Sequence, residues 1–218
     1  MIDIFLLFIL YSFLGWIMEV IDTKITTGNW VNRGFLMGPI CPIYGIASII
    51  MTYTLNYFYS HPLLVFIMAL LICSIVEYLT SLIMEKIFKM RWWDYSNKKF
   101  NINGRICLQT MLIFGTLGTL MIYLLNPTIN NLLAYLGESF KEAVSIIIAI
   151  IFIVDFLVST NIIFNIKSIT KNLKKDSTEE IVKAMKKAVE KHLVLYKRLI
   201  NAFPNAKKIL KNKKHKKK

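Results

Sequence analysis

The sequence is short of charge, cysteine and histidine, and each shortage closes off a class of protein. Of 218 residues only 18% are charged and 56% are apolar, with a mean hydropathy of +0.53. Soluble domains average about 25% charged and 45–50% apolar, so this composition does not suit a single core wrapped in a water-facing surface. The three cysteines, Cys41, Cys73 and Cys107, are odd in number and lack Cys-x-x-Cys spacing, which argues against a disulfide framework and a zinc site. His61, His192 and His215 show no metal-ligand pairing. There is no Gly-x-x-x-x-Gly-Lys-Ser/Thr phosphate loop and no Gly-x-Ser-x-Gly, so neither P-loop ATP binding nor that class of hydrolase is expected. The reading is a non-enzyme with no cofactor, no metal site and no catalytic residue.

Acidic residues are also scarce, 13 against 27 Lys and Arg, for a net charge of +14. Residues 1–166 hold nine basic and nine acidic side chains, so the whole excess lies in 167–218. This divides the chain into a neutral domain, 1–166, a basic segment, 167–205, and a Lys-rich end, 206–218. A strongly basic chain invites a nucleic-acid reading, but the placement of the charge argues against that partner.

The neutral domain reads as membrane-embedded. A helix needs about 20 mostly apolar residues to cross a hydrocarbon core of about 30 Å. Five stretches qualify, 2–21, 40–59, 63–84, 106–125 and 143–164. With the N-terminus outside and the C-terminus cytoplasmic, 26 basic residues fall on the inner side and only Lys141 on the outer. The expected fold is all-α: a polytopic integral membrane protein of five transmembrane helices in the plasma membrane, with a cytoplasmic amphipathic C-terminal helix. The first span lacks the basic start and small-residue cleavage site of a signal peptide and is expected to be retained.

An offset of 66 residues aligns Ile17-Met18-Glu19 with Ile83-Met84-Glu85, Gly38 with Gly104, and Ile40-Cys41 with Ile106-Cys107. It predicts two parallel hairpin repeats followed by a fifth span; chance similarity between two apolar hairpins is the competing explanation.

Carboxylates inside apolar stretches are the candidate functional residues. Ser12, Gly15 and Glu19 share a helical face, on which Glu19 either reaches the headgroups or pairs with Arg33 or Lys24. Glu77 lies within the third span, with Ser81 and Glu85 at successive i+4 positions. A carboxylate at that depth lines a polar pathway, relays a proton, or pairs with an Arg or Tyr hydroxyl in the core. Asp155, followed by Ser159, Thr160 and Asn161, raises the same alternatives, with a cation or hydroxyl as its expected partner. Glu19, Arg33, Glu77, Glu85 and Asp155 are thus the pathway or buried-polar candidates.

Two loops complete the reading. In Asn32 to Gly45, Pro39 and Pro42 with Gly34 and Gly38 keep a regular helix from starting before about Pro42, which predicts a re-entrant or interfacial turn unless the loop simply ends at the headgroups. In 86–105, Trp92 and Trp93 beside basic residues read as interface anchors. Asp94, Asn101, Asn103 and Gly104 add turn chemistry. Trp92, Trp93, Asp94, Tyr95, Asn103 and Arg105 are therefore candidates for a partner-binding loop.

These motifs, Tyr11-Ser12 to Gly15-Trp16 to Glu19, Asn32-Arg33-Gly34-Phe35 to Tyr44-Gly45, and Trp93-Asp94-Tyr95-Ser96 to Asn101-Ile102-Asn103-Gly104-Arg105-Ile106-Cys107-Leu108, resemble the CmpB-like ABC-transporter permease family over roughly residues 5–125, extending toward 160. The resemblance implies a permease-like subunit of a transport system, with ATP hydrolysis supplied by a separate ATPase subunit docking on 86–105.

In the tail, Ser177 and Glu180 form a capping box, and apolar residues recur from Ile181 to Phe203 among lysines, which predicts an amphipathic basic helix. It lies on anionic inner-leaflet lipids, packs on a partner helix, or forms a coiled coil. The final lysines read as a disordered cationic end. Five spans are few for a complete pathway, so a homo-oligomer or heteromeric complex is expected. The alternative is a non-transporting scaffold or regulator that recruits a partner through loop 86–105 and the tail. A lipid-acting enzyme using Glu19, Glu77 and Glu85 lacks a nucleophile or metal motif.

Overall fold

A computed structural model describes residues 1–88 and 91–172. Helix α1 (Ile2–Thr27) stops at Gly28, whose φ of 75° is the left-handed cap that glycine adopts without a Cβ clash. Helix α2 (Pro42–Leu55) starts on a proline, where the missing N–H costs no helical bond, and ends in a tight turn, Asn56–Phe58. Helix α3 (Pro62–Phe88) follows at once. After a small hairpin, β1 (Asn101–Ile102) with β2 (Ile106–Cys107), come α4 (Leu108–Leu120), a wide π turn (Met121–Leu125), α5 (Asn126–Tyr135) and α6 (Glu138–Asn172).

Four helical segments are long and apolar enough to cross a membrane: Ile2–Thr27, Pro62–Phe88, the continuous Leu108–Tyr135, and Glu138–Asn161. The chain is a multi-pass membrane protein. The second expected span is different: α2 has 14 residues, about 21 Å of helix, short of the roughly 30 Å core. The fourth is longer than expected and does not stop at 125. Pro127 has no N–H to return to the Tyr123 carbonyl, and the preceding turn widens to π geometry, so the helix continues to Tyr135. The hairpin was not expected in an all-α fold. The amphipathic helix and Lys-rich end, from residue 173 on, lie outside the described residues, and α6 carries on past residue 166 to Asn172.

Contacts fix the direction of every helix. Lys141 Nζ lies 2.9 Å from Asp3 Oδ1, which joins the first turns of α1 and α6. At the other end Phe35 stands 5.5 Å from Phe88 and 5.7 Å from Trp92, ring centre to ring centre, so the two long connections meet. Hence α1, α3 and α6 run one way, α2 and α4–α5 the other. Both returning helices begin directly after an extended cysteine, Cys41 (φ −115°, ψ 92°) and Cys107 (φ −144°, ψ 158°), the same 66 residues apart as the sequence offset.

The antiparallel pairs close through small residues. A Cβ on Gly15 would overlap the Tyr44 ring, and one on Gly45 would strike Ser12 and the Phe8 carbonyl. Gly118 lies so close to α2 and α3 that a Cβ would sit 2.8 Å from Ala69 Cβ and 2.9 Å from Met51 Sδ. Such surfaces suit a membrane interior, where burial of apolar area gives helices no reason to associate and close packing must do so. The core between α1, α2, α3 and α5 holds Leu7, Tyr11, Met51, Val65, Ile122 and Ile129. One polar clasp crosses it: the Tyr11 hydroxyl donates to Asn126 Oδ1 (2.5 Å), and Asn126 Nδ2 donates to Thr52 (3.0 Å).

Gly15→Ala is expected to destabilise the protein by about 1–3 kcal/mol, the usual range for an overpacked interior. Thermal unfolding of the purified variant in detergent, with a midpoint below wild type, checks it.

Candidate functional site

The site lies at the end of the bundle where the two long connections meet. The first connection, 28–41, turns back into the bundle, because the Cys41 N–H donates to the Ser12 carbonyl at 2.9 Å. Ser12 is 15 residues before the end of α1, about 22 Å along the axis. Non-helical backbone at that depth must find its partners inside the protein, and Asp155 of α6 supplies them. The Met37 N–H donates to Oδ1 (2.8 Å) and the Gly38 N–H to Oδ2 (2.7 Å). Ser159 braces the same carboxylate at 3.0 Å and also accepts from Met37. A Cβ on Gly38 would come within 2.9 Å of Oδ2, so glycine is what lets the carboxylate approach. Trp16 Nε1 donates to Asn32 Oδ1 (2.7 Å), and Asn32 Nδ2 donates to the Met37 carbonyl (3.2 Å). Leu36 is fully buried. Asp155 therefore binds backbone N–H groups and a hydroxyl, where the sequence reading expected a cation or hydroxyl: two adjacent N–H groups of an unwound segment are not visible as partners in a sequence.

Beneath this loop three of the candidates come together. Glu19 accepts from the Tyr44 hydroxyl (2.7 Å) and pairs with Arg33 (3.4 Å). Lys24, the other expected partner, instead donates to the Gly28 carbonyl and stands over the Trp30 ring. Glu77 is within electrostatic range of Glu19 and hydrogen-bonds the Tyr95 hydroxyl. It is 6% exposed, and its Oε2 has no hydrogen-bond partner among the described residues. Burial, then the Glu77 carboxylate and its hydrogen bond, push the Tyr95 hydroxyl above its usual range.

Glu85 belongs to a second group. It pairs with Arg105 (2.7 Å) and Arg91 (3.4 Å). Arg105 also donates to Ser81 (3.0 Å) and lies over the Tyr78 ring. Trp93 Nε1 donates to the Arg105 carbonyl (2.9 Å), and Asn103 Nδ2 to the Tyr78 hydroxyl (2.9 Å). The hairpin turn places Asn103 (φ 54°) and Gly104 (φ 66°) in the left-handed region, which Asn and Gly tolerate best. A Cβ on Gly104 would run into the Ser96 and Asp94 side chains. The Ser96 hydroxyl and N–H, then Arg91, hold the Asp94 carboxyl below its usual range. A carboxyl lowered by folding adds stability above its unfolded pKa and loses it only as pH falls through the lowered value. The tryptophans turn inward: Trp92 packs against Phe35 and Phe88, while Trp93 holds the hairpin.

The sequence reading missed Tyr44 and named Tyr95 only as a loop residue. Both lie in quoted motifs, but a tyrosine in an apolar run carries no mark of which carboxylate it will meet. Among the described residues, no group of three or more His, Cys, Asp and Glu converges to hold a metal ion.

A family model described as "Putative ABC-transporter type IV" matches residues 6–160. The chain belongs to this ABC_trans_CmpB family. Both loops, the four candidate carboxylates Glu19, Glu77, Glu85 and Asp155, and Arg33 lie inside the match, and membership makes the chain a membrane component of the transport-system type. No curated protein and no solved structure matches it.

Asp155→Ala is expected to free the ABC_trans_CmpB loop at Met37 and Gly38. Hydrogen bonds to a charged group contribute about 1.5–3 kcal/mol, so the open population should rise tenfold or more. Alkylation of Cys41, now 5% exposed, by N-ethylmaleimide in a Cys73→Ser, Cys107→Ser background measures it; an unchanged rate would mean that Asp155 does not hold the loop.

Proposed function

We propose that this chain is the permease-like membrane subunit of an ATP-driven transporter, with hydrolysis supplied by a separate ATPase subunit. The observation that carries this reading is the state of loop 86–105. Its end, from Asn101, folds into a small β-hairpin, bolted to α3 by Arg105–Glu85 and Asn103–Tyr78 and running straight into α4. A subunit pushing on that hairpin moves two helices with it, which is what coupling requires. Phe100 and Ile102 project from it, 78% and 52% exposed, and offer an apolar contact for such a partner.

The antiparallel order of the helices supports five crossings in the plasma membrane, with α2 as a short one preceded by the re-entrant 28–41 segment. All described basic side chains except Lys141 lie toward the hairpin end, which supports a cytoplasmic hairpin, an external N-terminus, and a basic tail against anionic inner-leaflet lipids. The equal spacing of Cys41–Pro42 and Cys107–Leu108 supports a duplicated hairpin plus one further span. The long apolar face of α6, exposed from Ile146 to Leu157, suits lipid or a second copy in a homo-oligomer. The chain itself is not an enzyme on this reading.

Affinity purification of the tagged chain from its native membrane should recover an ATPase in stoichiometric amount. Phe100→Asp with Ile102→Asp should cut that recovery tenfold or more, a loss of at least ~1.4 kcal/mol, without lowering the thermal midpoint. A stoichiometric partner without ATPase activity would favour the scaffold reading instead. For topology, Tyr57→Cys should label with an impermeant maleimide in intact cells, and Phe100→Cys only after permeabilisation.

A further inference from the structure

The group around Glu77 is short of one positive charge. Glu19 and Glu77 are close enough for their charges to interact. Among the described residues, Arg33 is the cation paired with Glu19, and no Lys or Arg pairs with Glu77. The remaining titratable neighbours, Tyr44 on α2, Tyr95 in the hairpin loop, Cys73 on α3 and Cys107 at the start of α4, are neutral in their ordinary state. Glu77 lies 15 residues into α3 from Pro62, about 22 Å along a membrane-crossing helix. It is 6% exposed, and Oε2 is buried with no hydrogen-bond partner among the described residues. An uncompensated carboxylate at that depth is costly, and a second bound species removes the cost.

We propose that Glu77, flanked by Tyr95 and Glu19, is a binding site for one exchangeable monovalent positive charge, an alkali cation or a proton. The ligand set is all hard oxygen, from carboxylates and tyrosine hydroxyls, which suits an alkali ion and not a soft metal. The charge deficit is one, which does not match a divalent ion. Glu19, whose side chain is 31% exposed, is the more open member of the pair. Ion sites in other membrane proteins occupy the same kind of place, where unwound backbone meets the middle of a helix bundle. The site is independent of which cargo the chain moves and of whether an ATPase docks on it.

The test uses the full-length protein in nanodiscs. In one arm sodium is replaced by N-methylglucamine at constant ionic strength and pH; in the other, pH is varied without alkali ions. A ligand that binds only the folded state raises the unfolding midpoint. Wild type is expected to be stabilised by sodium, which identifies a metal cation, or by protons alone, which identifies a proton site. Glu77→Gln, which removes the charge, should lose that response, and Glu142→Gln on the exposed face of α6 should keep it. Wild type responding in neither arm, or Glu77→Gln responding as wild type does, would overturn the site. Should Glu77→Gln fail to fold, infrared difference spectra of wild type decide: a carboxylate band that moves with sodium or pH supports the site, and an unchanged spectrum overturns it.

Discussion

The fold turns on how a stretch of non-helical backbone is satisfied within a membrane bundle. Between Gly28 and Cys41 the chain leaves helical geometry and returns to the level of Ser12. Irregular backbone at membrane depth must be satisfied by protein or a wet cavity. Asp155 accepts two of them and is braced by Ser159. A single carboxylate on α6 thus anchors the connection between α1 and α2 and draws the last helix onto the first hairpin. It also places Arg33 beside Glu19. If the loop lay elsewhere, Glu19 would lose that cation.

The two hairpins solve the same problem with different means. The first carries an irregular loop tied to a neighbouring helix. The second carries a β-hairpin tied to its own helix by Arg105 and Glu85. Both deliver an extended cysteine at the start of the returning helix, and both pair a glutamate near the end of the descending helix with an arginine from the loop. The arginines, Arg33 and Arg105, are not at equivalent positions of the 66-residue offset, so the equivalence lies in what each side chain reaches, which alignment alone does not reveal. An aromatic cluster of Phe35, Phe88, Trp92 and Phe156 fills the space between the two loops.

Much of this was legible in the chain. Scarce charge, long apolar runs and one-sided basic residues gave a multi-pass membrane protein, and Pro39 and Pro42 gave the start of α2. The hairpin had a signal in Asn103-Gly104 that was read only as turn chemistry, because two-residue strands carry no periodicity. The fourth span was ended at 125 because the apolar run stops there; the helix continues through Pro127 to Tyr135 by way of the π turn and the Asn126 clasp. The tryptophans were read as headgroup anchors because composition cannot say whether an indole turns outward to lipid or inward to a phenylalanine.

What the sequence determined by itself was the solvent: apolar residues counted along the chain decide that it sits in a membrane, since insertion depends on the sum over a segment and not on who its neighbours are. The tertiary structure alone decided the partner of each buried charge. Asp155 and Met37 are 118 residues apart, and Lys141 and Asp3 are 138 apart. No local pattern encodes such a pairing, because it depends on where six helices come to rest. That placement is what leaves Glu77 buried, with its Oε2 lacking a hydrogen-bond partner among the described residues.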